Sequence, residues 1–257
     1  MASIQPLELL LRELGGTRVA VATLLPPGAS PHTFEPLPGD VARLARARGF
    51  LRLGGGLDDW AERLAAAAPR ALETLVLLGA AESSDPHVWL DPLLVRDALV
   101  PRLEGWLAAL DPAGRADGAR RAQAFRASLT ALDGEIREIL AGAPGRSYVA
   151  FHNAWRHFAR RYGLEEVAVV EEFAGEEPTP RELARLVRAA QRAGVAAILV
   201  EPQLPARVAE TLAREFGAGT VLVDPLGDPR DPERDSYAEL LRFDARAFAR
   251  ALGGGRP

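Results

Sequence analysis

Short apolar or β-branched runs alternate with amphipathic stretches along this chain. TRVAVATLL (17–25) has the composition of a strand, and PGDVARLARAR (38–48) repeats its apolar positions at helical spacing. GFLRLGG (49–55) and LETLVLLGA (72–80) predict the next strands, with LDDWAERLAAAA (57–68) as the helix between them. PLLVRDALVPRLEGWLAAL (92–110) predicts a longer helix that carries an internal proline, Pro101. At the very start, SIQPL reads as a strand entering a core directly. Strand, helix, strand in this rhythm predicts parallel sheets with helices on both faces.

The rhythm stops between Asp111 and Ala143, where no strand signal occurs. Asp111-Pro112 makes a good cap and first-turn pair, and Gly142 with Pro144 makes a good stop. Phe125, Leu129, Leu132, Ile136, Ile139 and Leu140 recur at helical spacing between them. A helix of about 28 residues would run about 42 Å, enough to span a whole domain pair. The alternation then resumes. SYVAFHN, EEVAVVEEF, VAAILVEPQ and TVLVDPLG predict strands. AWRHFARRYG, TPRELARLVRAAQRAG, PARVAETLAREFG and SYAELLRFDARAFARAL predict the helices. The expected fold class is therefore α/β: an N-terminal domain over 1–110, a long connecting helix over 111–143 and a C-terminal domain over 144–257. No repeats or low-complexity tracts interrupt it, and Gly253 to Pro257 reads as a loose tail.

Composition narrows the chemistry. The chain has 257 residues, 48% of them apolar, which suffices for one large or two medium cores. The net charge of -4 supplies no basic excess for a phosphate backbone, so no nucleic-acid partner is expected. There is no cysteine, which excludes disulfides, thiolate metal sites and cysteine nucleophiles. All 31 basic residues are arginine, which excludes Schiff-base lysine chemistry and a P-loop lysine. No apolar run approaches the roughly 18 residues of a membrane span. The opening MASIQPLELLLREL lacks a basic region followed by an apolar one, so the chain reads as cytosolic or as a secreted chain trimmed of its leader.

Against that background the four histidines stand out. His32 follows the first predicted strand across a Pro-Pro-Gly turn, in ASPHTFEPLPGD. His87 lies in SSDPHVWLDP, after the strand ending near Leu78, and His152 ends the strand SYVAFHN. In open parallel sheets, ligands bind beyond the carboxyl ends of the strands. If two such domains face each other, these three imidazoles can converge between them. His157 lies about 140° round a helix from His152, so it reads as a helix-surface residue. A dication held by neutral imidazoles calls for a carboxylate as well. Asp224 ends a strand, but Asp-Pro recurs at 85–86, 91–92, 111–112, 228–229 and 231–232 as turn chemistry. Pattern alone favours a cap for Asp224 over a ligand.

Five stretches resemble, in order, the substrate-binding proteins of zinc and manganese ABC transporters: SPHTFEPLPGDVARLARA, DPHVWLDP, FHNAWRHFARRYGL, ILVEPQ and VLVDPLG. The resemblance covers nearly the whole chain, including the long helix. It implies a metal held in an interdomain cleft by His32, His87, His152 and Asp224. Glu35 then becomes either an orienting group or an alternative carboxylate ligand, and Asp91 reads first as a cap for the helix that follows it. The sequence departs from the family pattern in two places. Ser30 stands where aspartate is frequent, and no long His- and Asp-rich loop precedes His87.

Three nitrogens and one carboxylate suit Zn²⁺, while Mn²⁺ prefers more oxygen. Manganese binders of the family tend to carry a carboxylate where this chain has His152. The resemblance thus implies a monomeric extracytoplasmic protein, periplasmic or at the cell surface. It would capture zinc, or less readily manganese, and deliver it to a membrane permease, with binding weakened as acid protonates the imidazoles. The long helix implies only a small rocking or loop movement on binding. The same three histidines would also suit a zinc hydrolase with Glu35 or Glu201 as base, although no compact hydrolase motif such as HExxH is present. A metal-free adhesin is the third class.

Overall fold

Parallel strands returned by helices organise the chain, as the alternation predicts. A computed structural model describes residues 1–68, 72–79, 85–171, 179–203 and 206–253. The chain divides into two units, Met1–Ala131 with Leu226–Tyr237, and Leu132–Pro225 with Ala238–Pro257.

In the first unit β1 (Gly49–Gly54) pairs in parallel with β2 (Glu73–Leu78), from Gly49↔Glu73 to Gly54↔Leu78. The helix between them is α3 (Asp59–Ala66). Gly54 has φ +83°, and a Cβ there would collide with the Leu78 carbonyl oxygen, so only glycine closes this strand end. On the other side of β1, Ala2 bridges both Leu51 and Thr23.

Two expectations for this region are corrected. SIQPL is not a strand beyond its first residues, because α1 (Gln5–Gly15) begins within it with Pro6 in the first turn. Leu7, Leu10, Leu11 and Leu14 are buried at the i, i+3, i+4, i+7 spacing of a helix face, and that face overrides the β-branched entry. TRVAVATLL is not a regular strand either. A 3₁₀ turn takes Gly16–Arg18, and the backbone after it meets the sheet only around Thr23. A strand is defined by its ladder partners, and here Met1–Ser3 supplies only three residues of them.

Helix α2 (Pro38–Leu44) stops short of Arg48. The predicted helix over 92–110 is broken into α4 (Pro92–Leu94), a π-helical turn at Val95–Leu99 and α5 (Val100–Leu110). Pro101 causes this, since it lacks an N–H and its ring crowds the carbonyl one turn back. The wider turn, with Val100 N bonded to Val95 O, relieves the crowding without ending the helix.

Asp58 ties the first unit together. Its buried carboxylate accepts from Ser3 Oγ at 2.6 Å, Leu53 N at 2.7 Å and Gly54 N at 2.8 Å. Removing it strands buried donors on two segments far apart in sequence. Asp58→Ala is therefore expected to cost about 3 kcal/mol in a denaturant titration. A cost below about 1 kcal/mol would show that water replaces the carboxylate.

Helix α6 (Arg115–Ala141) has 27 residues, about 40 Å at 1.5 Å each. It starts in the first unit and ends in the second. Ala122, Phe125, Leu129, Leu132, Ile136 and Leu140 are its buried stripe, while Ile139 lies at the margin.

The second unit holds a four-stranded parallel sheet in the order β4-β3-β5-β6. The strands are β3 (Ser147–His152), β4 (Glu165–Glu171), β5 (Ala197–Val200) and β6 (Gly219–Leu222). Alternate residues serve opposite faces. Val149 and Phe151 of β3, with Val170 and Ile198, pack on Ala190 of α8 (Pro180–Arg192) and on Leu212 and Phe216 of α9 (Ala206–Phe216). Tyr148, on the other face, meets Phe248 of α10 (Tyr237–Leu252) edge-on, with ring centroids 5.2 Å apart. Phe248 also stacks on Phe158 of α7 (Arg156–Tyr162) at 4.8 Å and meets Trp155 at 5.2 Å. Helix α8 opens with a capping box in which Thr179 and Glu182 satisfy each other's backbone donors. Of the tail expected at 253–257, residues 254–257 lie outside the described residues, as do the ends of the strands predicted at 72–80 and 165–173.

Candidate metal-binding site

In the first unit two of the singled-out histidines come together. His32 sits in an exposed turn after Gly28, whose φ of +80° lets the chain reverse. The turn is anchored beside the histidine, not through it. Trp60 of α3 donates its indole N–H to the Pro31 carbonyl at 2.9 Å, and Phe34 packs edge-on against the same ring at 4.8 Å. Ser30 Oγ accepts from His32 N at 3.3 Å, so serine performs the turn chemistry at the position where the family often has aspartate. Glu35 is exposed in this loop.

His87 is buried, and its ring lies 5.6 Å from that of His32. Asp85 holds it twice: one carboxylate oxygen accepts from His87 N at 3.0 Å and lies 2.8 Å from Nδ1. A carboxylate can only accept, so the proton sits on Nδ1 and the lone pair on Nε2. Trp89 stands beside His87, with centroids 5.3 Å apart, and its carbonyl accepts from Tyr237 Oη at 2.7 Å. Asp91 caps α4 by accepting from Leu93 N at 2.9 Å and Leu94 N at 3.2 Å, the role first read for it.

The second unit repeats the arrangement. His152 ends β3 and is buried, with Nδ1 3.3 Å and 3.4 Å from the two Glu201 oxygens. Glu201 directly follows β5, the neighbour of β3 in the sheet, so parallel pairing places it beside the strand's last residue. The carboxylate also accepts from Trp155 Nε1 at 3.2 Å. Asp224, just beyond β6, is buried. Its amide donates to Asp244 Oδ1 at 2.8 Å, and Gln203 Nε2 lies 3.5 Å from its Oδ1. Asp224 is thus not a helix cap. Asp224 and Asp244 are both buried, and no helix begins at Asp224. His157 lies half-buried on α7, with Nδ1 3.5 Å from an Arg160 nitrogen.

Sequence reading missed Asp85 as a functional residue and weighed Glu201 only as a base. Each is an acid adjacent to a proline, Asp85-Pro86 and Glu201-Pro202, and the first was absorbed into the background of Asp-Pro turns. The available signal was position. Asp85 lies two residues before His87, and Glu201 directly follows the strand next to the one His152 ends.

The chain matches the family model of the zinc-uptake complex component A, periplasmic, over residues 1–251. It is 28% identical over 261 residues to the manganese-binding lipoprotein MntA of Halalkalibacterium halodurans, covering 94% of this chain and 84% of that protein. It is 26% identical over 257 residues to the high-affinity zinc uptake system protein ZnuA of Bacillus subtilis, covering 90% of this chain and 80% of that one. A crystal structure of ZnuA superposes with a TM-score of 0.85 at 32% identity, covering 98% of this chain and 97% of that chain. The periplasmic zinc-binding protein TroA from Treponema pallidum shares the fold, with a TM-score of 0.86 at 21% identity over 98% of this chain and 97% of that one. Two parallel α/β units, the histidine loops at strand ends and a match over almost the full length lead to one conclusion: the chain belongs to the ZnuA family of periplasmic zinc-uptake components.

Proposed function

We propose that this chain captures a divalent metal ion outside the cytoplasm, zinc in preference to manganese, and hands it to the membrane permease of an ABC transporter. His32, His87 and His152 supply imidazole nitrogen, and Asp224 supplies the carboxylate. The observation that carries the reading is the paired support of two buried imidazoles. Asp85 and Glu201 each engage Nδ1, which leaves Nε2 as the unprotonated nitrogen that a metal would take.

The ion is cargo, so the site must bind tightly yet let go. Three neutral imidazoles and one carboxylate match the ligand preference of Zn²⁺. The similarity to a manganese-binding lipoprotein favours Mn²⁺ as a second cargo. Calorimetric titration with zinc, then with manganese as competitor, tests the reading. One zinc per chain, displaced only by a large excess of manganese, is expected. Stoichiometric manganese binding that zinc fails to displace would reverse the order. Asp224 is preferred to Glu35 because it is buried and Glu35 is exposed.

A hydrolase reading loses one of its two bases. The Glu201 carboxylate is engaged by His152 and Trp155, which leaves it no role as a mobile proton acceptor. The chain is proposed to act as a monomer, without catalysis and without nucleic acid. Among the described residues no helix is long and apolar enough to cross a membrane.

The supporting carboxylates give a sharper test than the ligands themselves. Asp85→Asn and Glu201→Gln keep size and packing but lose the charge that fixes the tautomer. Each is expected to weaken zinc binding by about 10–100-fold. A chelating dye in competition reads the change. Unaltered affinity in both variants would remove the observation on which the assignment stands.

A further inference from the structure

Helix α8 of the second unit has two opposite faces. Leu183, Leu186, Val187 and Ala190 fall on one side of it and pack in the core under the sheet. Arg181, Arg185, Arg188 and Arg192 fall on the other, at i, i+4, i+7 and i+11. This spacing keeps the four within about 60° of arc and spreads them over about 16 Å of helix. All four are exposed.

The row has no carboxylate in contact with it. Among the described residues none of the four forms an ion pair or a side-chain hydrogen bond, whereas Arg43, Arg137, Arg230 and Arg242 each hold a carboxylate. The one acid of α8, Glu182, is occupied by the capping box, where it accepts from Thr179 N at 2.9 Å and Thr179 Oγ1 at 2.6 Å. Thr179 is the main cause that holds this carboxyl below its usual range, and Arg185 adds the least. Helix stability does not account for the row. Like charges three and four residues apart repel, and Arg181 stands in the first turn, where the helix dipole disfavours a cation. In a chain of net charge -4 the row is a local reversal of sign.

We propose that this face of α8 lies on an anionic bilayer surface, with its guanidinium groups on lipid phosphates. The planar fork of arginine matches phosphate oxygens two at a time. A folded protein partner is the poorer fit. Protein interfaces draw their energy from a desolvated apolar or aromatic centre, and beside the arginines stand only Glu182, Ala184, Ala189 and Gln191. The same lack of large apolar groups keeps the helix on the surface and out of the hydrocarbon. Each arginine near an anionic bilayer contributes about fivefold to partitioning, so the four together contribute on the order of several hundredfold.

Metal-free protein sedimented with vesicles tests this, so the outcome is independent of zinc capture. Association is expected with vesicles of equal phosphatidylglycerol and phosphatidylcholine. None is expected with phosphatidylcholine alone, or in about 1 M salt, where the Debye length is about 3 Å. Glutamine at Arg181, Arg185, Arg188 and Arg192 together should weaken association by about a hundredfold or more. Glutamine is a good helix former, so α8 should persist, as circular dichroism will show. Lysine at the same four positions should retain association within about tenfold. Glutamine at the exposed Arg46, Arg48, Arg63 and Arg250 changes net charge equally and should leave association within a few-fold of the native chain. No association of the native chain, or equal loss in the two glutamine variants, would overturn the proposal. So would equal loss in the lysine and glutamine variants of α8. Poly-glutamate that binds the native chain more tightly than the vesicles do, through the same four arginines, would overturn it in favour of an acidic polypeptide.

Discussion

His152→Ala will bind zinc about a thousandfold more weakly than the native chain while remaining folded. The magnitude is the upper end of sharing a four-ligand zinc affinity of about 10–16 kcal/mol over its ligands, about 2.5–4 kcal/mol for each. The folded state should tolerate the change. His152 lies at the end of β3, where the ladder pairing of Val149 and Ala150 with β5 is complete without its side chain. Glu201 keeps its bond from Trp155 Nε1. Lost imidazole contact should cost about 1 kcal/mol of stability. Competition against a chelating dye measures the affinity, and far-ultraviolet circular dichroism checks the fold. Equal affinity in a folded mutant would mean that His152 is not a ligand, and the proposed capture site would fail with it.

Much of this was legible in the sequence because the relevant signals are local. The second unit's strands and helices appear where the apolar periodicity puts them, since every strand has at least one ladder partner and the central β3 and β5 are buried. The long helix from Arg115 to Ala141 was legible from its stripe and its stop at Gly142, while its start lies past the expected Asp111-Pro112 pair, beyond a 3₁₀ turn at Pro112–Gly114. The topological rule was legible for His152, which ends β3, and for His87, which follows β2, whereas the segment before His32 pairs only around Thr23.

What was not legible depended on partners that the sequence does not label. The run at 17–25 has strand composition, yet it is a strand only where Met1–Ser3 lies beside it. The helix at Gln5–Gly15 was hidden by the β-branched Ile4 just before it and by Pro6, which marks a helix start as readily as a strand edge. The π turn at Val95–Leu99 needs the geometry of a proline ring inside a helix, not merely its presence. Asp85 and Glu201 were passed over because an orienting carboxylate is recognised by what it touches. Asp-Pro and Glu-Pro occur for other reasons throughout such a chain.

Phe248→Ala separates holding the fold from holding the ion. Phe248 of α10 is fully buried and stacks on Phe158, with Tyr148 and Trp155 meeting its edges. Truncation leaves a cavity among three rings and is expected to cost about 4 kcal/mol, roughly a thousandfold in the folding equilibrium. Among the described residues the ring contacts of Phe248 are with Tyr148, Trp155 and Phe158 and with none of the proposed ligands, so the folded fraction should bind zinc within a few-fold of the native chain. Zinc binds only the folded state, and at a hundred times its dissociation constant it should return about 2.7 kcal/mol to the destabilised variant. The double variant Phe248→Ala with His152→Ala should recover almost nothing at the same zinc concentration. Denaturant titrations of the two variants, each with and without zinc, give the comparison. Equal recovery in both would show that zinc stabilises the chain through groups other than His152.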